Sequence, residues 1–274
     1  MTRIDNILRR TSTALKDVEG IRAVVLGGSR ARGNASADSD IDVGLYYDAD
    51  SLDLDALDCA ASFLDNDRRT GLIAPPGAWG DWVNGGGWLA VDGCHVDLIL
   101  RDFARVARVV ADCTAGKIKT YYQTGHPHAY VDAMYMGELA VCKIIWERDN
   151  AVSRLKEVAK VYPPKLREAM LGFFSFEAGF SLSHTEANAR RDDVYYVAAH
   201  VVRSVSCLNQ VLFALNGEYC LNEKKAVALI EGFPIKPSGY KKRIDDLFSL
   251  LGVKPQEACA ILRELFEEVQ RFSA

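Results

Sequence analysis

Two aspartates separated by a single residue, Asp40 and Asp42, follow a Gly27-Gly28-Ser29 turn, with ten residues between Ser29 and Asp40. Around them the chain alternates, with Asp40 and Asp42 set between Ile41, Val43 and Leu45. A period of two puts both carboxylates on one face of a strand and the three aliphatics on the other. Carboxylates held side by side repel each other unless a cation lies between them, and oxygen-only ligands suit Mg²⁺. Upstream, the apolar run Ala23 to Leu26 ends in Gly27-Gly28, where the backbone is free to approach a ligand or to take positive φ. Ser29 adds a hydroxyl, and Arg30 and Arg32 lie within the next three residues. A polar turn, 34–39, joins the two halves.

The pattern Gly28-Ser29, ten residues, Asp40-x-Asp42 resembles the signature of the DNA polymerase β-like nucleotidyltransferase superfamily. It is most similar to aminoglycoside nucleotidyltransferases and to minimal nucleotidyltransferase domains, in which Gly-Ser-x-Ala-x-Gly and Ser-Asp-x-Asp recur. The resemblance implies a third carboxylate on a later strand, and Asp97, within Cys94-His95-Val96-Asp97-Leu98-Ile99-Leu100, matches it. A turn and a solvated strand face would explain either half of the motif alone; the kept spacing and Asp97 together favour a site. The implied α+β architecture is a small mixed sheet with flanking helices followed by an all-α helical bundle. By the same resemblance, Asp40 and Asp42 hold one or two Mg²⁺ against the phosphates of ATP or another NTP. Gly28 and Ser29 offer N–H and hydroxyl donors to the terminal phosphates, and Arg30 or Arg32 adds charge-assisted contacts. Asp97 either completes a second metal site or takes the acceptor's proton.

At 274 residues, the chain is long enough for two domains with substantial cores. A net charge of −4 provides no global basic field for a nucleic-acid backbone, so nucleic acid is not the expected partner. The seven cysteines are scattered, odd in number and form no C-x-x-C, as expected of buried thiols in a reducing compartment. A charged N-terminus and the absence of an apolar run approaching membrane-spanning length lead to the expectation of a soluble, cytoplasmic protein with no membrane partner.

Taken in order, residues 3–19 show helical spacing of Ile4, Ile7, Leu8, Leu15 and Val18, with Gly20 as a C-terminal stop. An acidic helix is expected over 53–65. Pro75-Pro76-Gly77 and Gly85-Gly86-Gly87 punctuate a loop containing Trp79, Trp82 and Trp88. Those aromatics either stack a ligand or cap the sheet, and the structural role is favoured. Asp92-Gly93 between two apolar runs predicts a hairpin that puts Asp97 on a strand, with His95 on the same face.

Beyond Phe103 only helical periods are expected, over 102–114, 127–147, 151–160, 164–183, 188–216, 222–231, 238–251 and 255–272. Val194, Ala198, Val201, Val205, Leu208, Leu212 and Leu215 step by four and three as a bundle seam. The boundary is expected between Gly116 and Gly125, giving a catalytic domain over 1–118 and a helical substrate-binding domain over 119–274. Leu212 to Tyr219 followed by Asn222-Glu223-Lys224-Lys225-Ala226 resembles the stretch of streptomycin/spectinomycin adenylyltransferases where a lysine reaches the nucleotide phosphates; either Lys224 or Lys225 fits. For a cationic acceptor, Glu138, Glu177, Asp192 and Asp193 are candidate contacts, Glu177 first.

The leading expectation is transfer of NMP, AMP from ATP, to a hydroxyl of a small aminoglycoside-like molecule with release of pyrophosphate. The alternatives are AMPylation of a protein or nucleotide addition to tRNA in a toxin–antitoxin-type system, and a degenerate nucleotide-binding scaffold. None of the five histidines has the upstream arginine that marks the helical ribonucleases of such systems. The presence of all three carboxylates argues against a degenerate scaffold.

Overall fold

The computed structural model describes residues 2–33, 35–36, 38–190 and 193–273. In chain order the elements are α1 (Arg3–Leu15), β1 (Ile21–Leu26), α2 (Gly28–Arg32), β2 (Ile41–Tyr47), α3 (Leu54–Leu64), β3 (Gly86–Val91), β4 (Cys94–Asp102) and α4 (Phe103–Thr114). There follow β5 (Thr120–Tyr121), β6 (Tyr130–Val131), α5 (Met134–Val141), β7 (Lys143–Glu147) and α6 (Ala151–Ala159). The remaining helices are α7 (Pro164–Asn188), α8 (Val194–Leu215), α9 (Ala226–Ile230), α10 (Tyr240–Leu250) and α11 (Pro255–Ser273).

The chain forms two compact units. The first comprises residues up to Ala111 together with Gln123–Gly125 and Tyr135–Val161; the second comprises Asp112–Tyr122, His126–Met134 and the chain from Tyr162 onward. A single cut between 118 and 119 does not coincide with these units, because the chain returns to the first one after its expected end.

The first unit is a five-stranded mixed sheet in the order β3-β4-β2-β1-β7. β1 pairs antiparallel with β2 and β7, β3 pairs antiparallel with β4, and β2 with β4 is parallel. Alternation sorts the two faces. Ile41, Val43 and Leu45 of β2, Val96, Leu98 and Leu100 of β4, and Leu89 and Val91 of β3 join one core with Ile7, Leu8 and Leu15 of α1 and Leu57, Ala61 and Leu64 of α3. Thr2 and Asp5 form a capping box on α1, and Asp53 caps α3. Asp42, Asp97 and Trp88 fall on the opposite face by the same period.

The stretch 127–147, expected as one helix, is β6, α5 and β7 in turn. Its Lys143-Ile144-Ile145-Trp146-Glu147 run becomes the outer strand by pairing with β1, a long-range partner that no local period reports. The expectation of no strand beyond Phe103 is therefore corrected, by β7 and by the short pair β5–β6.

In the second unit, α7, α8, α10 and α11 pack together. α8 buries Val201, Val205, Leu208 and Leu212 of its seam, while Val194 at its start is exposed. α8 is also long and apolar enough to cross a membrane by length and composition, contrary to the expectation that no segment approaches that limit. Two-thirds of its apolar window is buried inside the protein, as in a core helix.

Candidate active site

The site is built at the ends of three adjacent strands. β1 ends at Leu26, and Gly27 donates its N–H to the Asp42 carbonyl at 2.8 Å. Gly28 then turns into α2 with φ +59°, in the left-handed region that favours glycine. A β-carbon at Gly28 would stand 1.7 Å from Asp42 Oδ2 and 2.5 Å from its Cγ. The Gly-Ser turn and the second aspartate of the motif are thus in direct contact. α2 closes at Gly33, φ +79°, whose N–H bonds the Ser29 carbonyl. This five-residue helix is too short to be read from periodicity.

Asp42 is the Cα partner of Asp97 in the parallel β2–β4 register, so the two half-buried carboxylates share a face on neighbouring strands. Asp40 precedes β2 and is exposed. Burial raises the Asp42 carboxyl above its ordinary range, with the Asp40 charge adding to the effect and Glu138 contributing further. Asp97 is pushed up to about 6, by burial first and then by Asp42 and Asp40. The three carboxylates therefore form one mutually repelling set. His95 is exposed on the same strand and opposes the rise at Asp97.

Arg30 turns toward the chain itself. Its Nε donates to the Ser39 and Asp40 carbonyls at 3.1 and 3.0 Å, and a second guanidinium nitrogen also reaches Ser39. It braces the segment that delivers Asp40, a role its position in the motif did not announce. Arg32 is half-buried near the end of α2.

Glu138, on α5, makes a two-pronged bond to Arg101 of β4, with both contacts at 2.7 Å. It belongs to the same unit as the aspartates, and its charge acts on Asp42. Glu177 belongs to the second unit, where it pairs with Arg203 beside a cavity of about 220 Å³ also lined by His128, Phe173 and Cys207. Burial, with Arg203 adding to it, lowers the His128 imidazole, and burial raises the Cys207 thiol to about 12. Their 3.7 Å contact is accordingly one of a thiol with a neutral ring, and not an activated nucleophile. Asp193 caps α8 through Tyr196 N–H, and Asp192 lies outside the described residues. Lys224 and Lys225 are exposed in the second unit, Lys225 with φ +65° at the start of α9.

The tryptophan loop borders the site. Trp88 on β3 is the antiparallel Cα partner of Asp97, and Trp79 stacks on it at 4.6 Å between centroids and 22° between planes. Gln123 holds the loop. Its Nε2 donates to the Trp79 carbonyl at 2.7 Å, and its Oε1 accepts from Trp82 and Val83 N–H at 3.0 and 3.2 Å. Trp82 is buried, in line with a structural role, whereas Trp88 is 61% exposed. A cavity of about 530 Å³ opens between Trp79, Trp88, Asp97, Gln123 and Thr124. Sequence reasoning left ligand stacking and sheet capping open for these aromatics and favoured the structural role, without showing that two of them line a cavity containing Asp97; Gln123, 35 positions beyond Trp88, carried no signal.

Among curated proteins there is no match to the sequence. Among solved structures, the chain is similar to a nucleotidyltransferase-like protein from Exiguobacterium sibiricum at 11% identity and a TM-score of 0.46, with 98% of this chain and 78% of that one covered. That likeness is too distant to carry an argument about function. The segment that builds the site is matched independently: residues 8–115, which hold β1 to β4, Asp40, Asp42 and Asp97, match the family model described as a nucleotidyltransferase domain.

Proposed function

We propose that this protein transfers a nucleoside monophosphate, AMP from ATP, to a hydroxyl of a small aminoglycoside-like acceptor, releasing pyrophosphate in a Mg²⁺-dependent reaction. The observation that carries this reading is the contact of Gly28 with Asp42, with Asp97 beside Asp42 on the next strand. It lies within the segment that matches a nucleotidyltransferase domain. The acceptor class rests on the resemblance and on the acidity of the site.

The donors present fit Mg²⁺. Asp40 and Asp42 offer only oxygen, and the Asp40 charge adds to the burial that raises the Asp42 carboxyl. Among the described residues no three His, Cys, Asp or Glu side chains already form a metal cage. Mg²⁺ commonly takes one or two carboxylates and completes its shell with phosphate oxygens and water. When bound, the ion would neutralise phosphate charge and polarise the α-phosphate. Asp40 and Asp42 would hold it. The backbone N–H groups at Gly28 and Ser29, with the Ser29 hydroxyl, would grip the outer phosphates. Arg30 keeps the Asp40 segment in place through its bond to the Asp40 carbonyl.

The acceptor oxygen bonds to the α-phosphorus as the bridge to the β-phosphate breaks, and the electron pair leaves with pyrophosphate. Asp97 takes the hydroxyl proton in this reading. A carboxyl pushed up to about 6 is a better base near neutrality than an ordinary aspartate, while still mostly ionised there. Incubation with α-labelled ATP, Mg²⁺ and a panel of hydroxylated acceptors tests the proposal. Labelled product should form together with pyrophosphate; no product and no pyrophosphate with any acceptor or NTP would contradict it.

A further inference from the structure

We propose that the stacked pair Trp79–Trp88 is the acceptor subsite of this protein, and that it receives the face of a neutral or cationic ring-bearing hydroxyl compound. The inference rests on the phosphate-binding role proposed for Gly28 and Ser29.

The argument is one of direction across the sheet. Moving across the sheet from the turn after β1 to β2, β4 and β3, the chain presents Gly28, Asp42, Asp97 and Trp88 in turn, the steps from Asp42 to Asp97 and from Asp97 to Trp88 each being one strand spacing of roughly 4.8 Å. Transfer at phosphorus sets the attacking and leaving oxygens roughly in line. With the outer phosphates on the β1 side and the reacting phosphorus beside Asp42, the leaving pyrophosphate departs toward Gly28 and Ser29. The attacking hydroxyl then enters from the β4–β3 side. That side holds the cavity of about 530 Å³ containing Asp97 and both indoles, a volume suited to a small molecule.

The lining sets the class of compound. Trp79 and Trp88 lie within 22° of parallel and offer a flat apolar surface, with Trp88 61% exposed. Such a surface takes the apolar face of a sugar or an aromatic ring. Asp97 is the one charged side chain among the residues lining the cavity, so a carboxylate or phosphate on the acceptor meets repulsion. The Gln123 amide is occupied by Trp79, Trp82 and Val83, which fixes the loop and leaves Asp97 and Thr124 to meet the acceptor's polar groups. Gly80 permits this packing, since a β-carbon there would lie 2.8 Å from the Gln123 amide.

The test uses tryptophan emission without nucleotide, with para-nitrophenyl β-D-glucoside and the matching glucuronide as probes. The glucoside should quench emission saturably and the glucuronide about tenfold more weakly, since Asp97 lines the cavity. Trp88→Ala should weaken glucoside binding about tenfold, and Trp88→Phe, which keeps a ring and guards against misfolding, by about threefold or less. Calorimetry of Mg·ATP on the same variants separates the subsites. Retained nucleotide affinity with lost glucoside binding supports the assignment, whereas nucleotide affinity falling in step with the loss of the ring makes the pair a base platform and overturns it. Absence of glucoside quenching, or equal binding of the glucuronide, also overturns it. Failure of the wild type to bind Mg·ATP while the glucoside still binds would count against the transfer reaction and so, by removing its premise, against the acceptor role too.

Discussion

Gly28 lies so close to Asp42 that a single added carbon would occupy the space of the carboxylate, at 1.7 Å from Oδ2. Two motifs separated by a polar turn are thereby locked into one local structure, and the position of Asp42 depends on glycine at 28. Gly28→Ala should displace Asp42 and reduce product formation by orders of magnitude. Gly33→Ala is the matched control, because it also carries a left-handed φ, +79°, but its β-carbon meets nothing within 4 Å. It should cost about 1 kcal/mol of backbone strain and leave Asp42 in place. Thermal melts beside pyrophosphate release would distinguish the two; equal activity in both variants would show that the contact does not matter.

Ser29 should act on phosphate more than on the fold. Its side chain is half-buried at the first turn of α2. Ser29→Ala should weaken Mg·ATP binding by about 1.5–3 kcal/mol, the loss of one hydrogen bond to a charged group. The melting temperature should hardly move. Unchanged nucleotide affinity by calorimetry would assign Ser29 to the turn alone.

Much of the catalytic unit is legible in sequence because its signals are local. The alternation that separates Asp40 and Asp42 from Ile41, Val43 and Leu45, and the Asp92-Gly93 turn with φ +49° and +69°, are written within a few residues. What escapes depends on partners far along the chain. β7 is a strand because β1 lies beside it, and its own five residues continue a helical pattern. Arg30 is a candidate phosphate contact in sequence, and its bonds to the Ser39 and Asp40 carbonyls emerge only in the fold. Glu138 is a candidate acceptor contact in sequence, and only the fold shows that Arg101, 37 residues earlier, bonds both of its oxygens. Gln123 gains its purpose only from the backbone of a loop some 40 residues away.

Asp65 gives the clearest dependence of stability on pH. It is fully buried, bonded twice by the Arg69 guanidinium and once each by the Asp67, Arg69 and Ala90 N–H groups, and the Arg69 side-chain bonds foremost hold its carboxyl well below the ordinary range. A lowered folded pKa means that its contribution is complete above the ordinary carboxylate range and is lost as pH falls below it. Asp65→Asn should cost about 3 kcal/mol near neutrality, and the gap to the wild type should narrow in acid. Denaturant melts at a series of pH values check this; a gap that is constant with pH would exclude the charged bond as its cause.

Asp42 and Asp97 should show the opposite sign. Both carboxyls are raised, so without metal their ionisation works against folding, and stability declines as pH rises from the ordinary carboxylate range toward about 6. Asp42→Asn and Asp97→Asn should therefore melt at or above the wild-type temperature in EDTA near neutrality, while losing transfer activity. A markedly lower melting temperature would mark these residues as structural.

The most direct test is calorimetric titration of ATP into wild type and Asp42→Asn, each in Mg²⁺ and in EDTA. The wild type should bind ATP in Mg²⁺ and lose at least about tenfold in affinity, some 1.4 kcal/mol, in EDTA. Asp42→Asn, folded by its melt, should bind weakly in both. Equal wild-type affinity with and without metal, or an Asp42→Asn variant that binds Mg·ATP as the wild type does, would contradict a metal-dependent nucleotide site at Asp42.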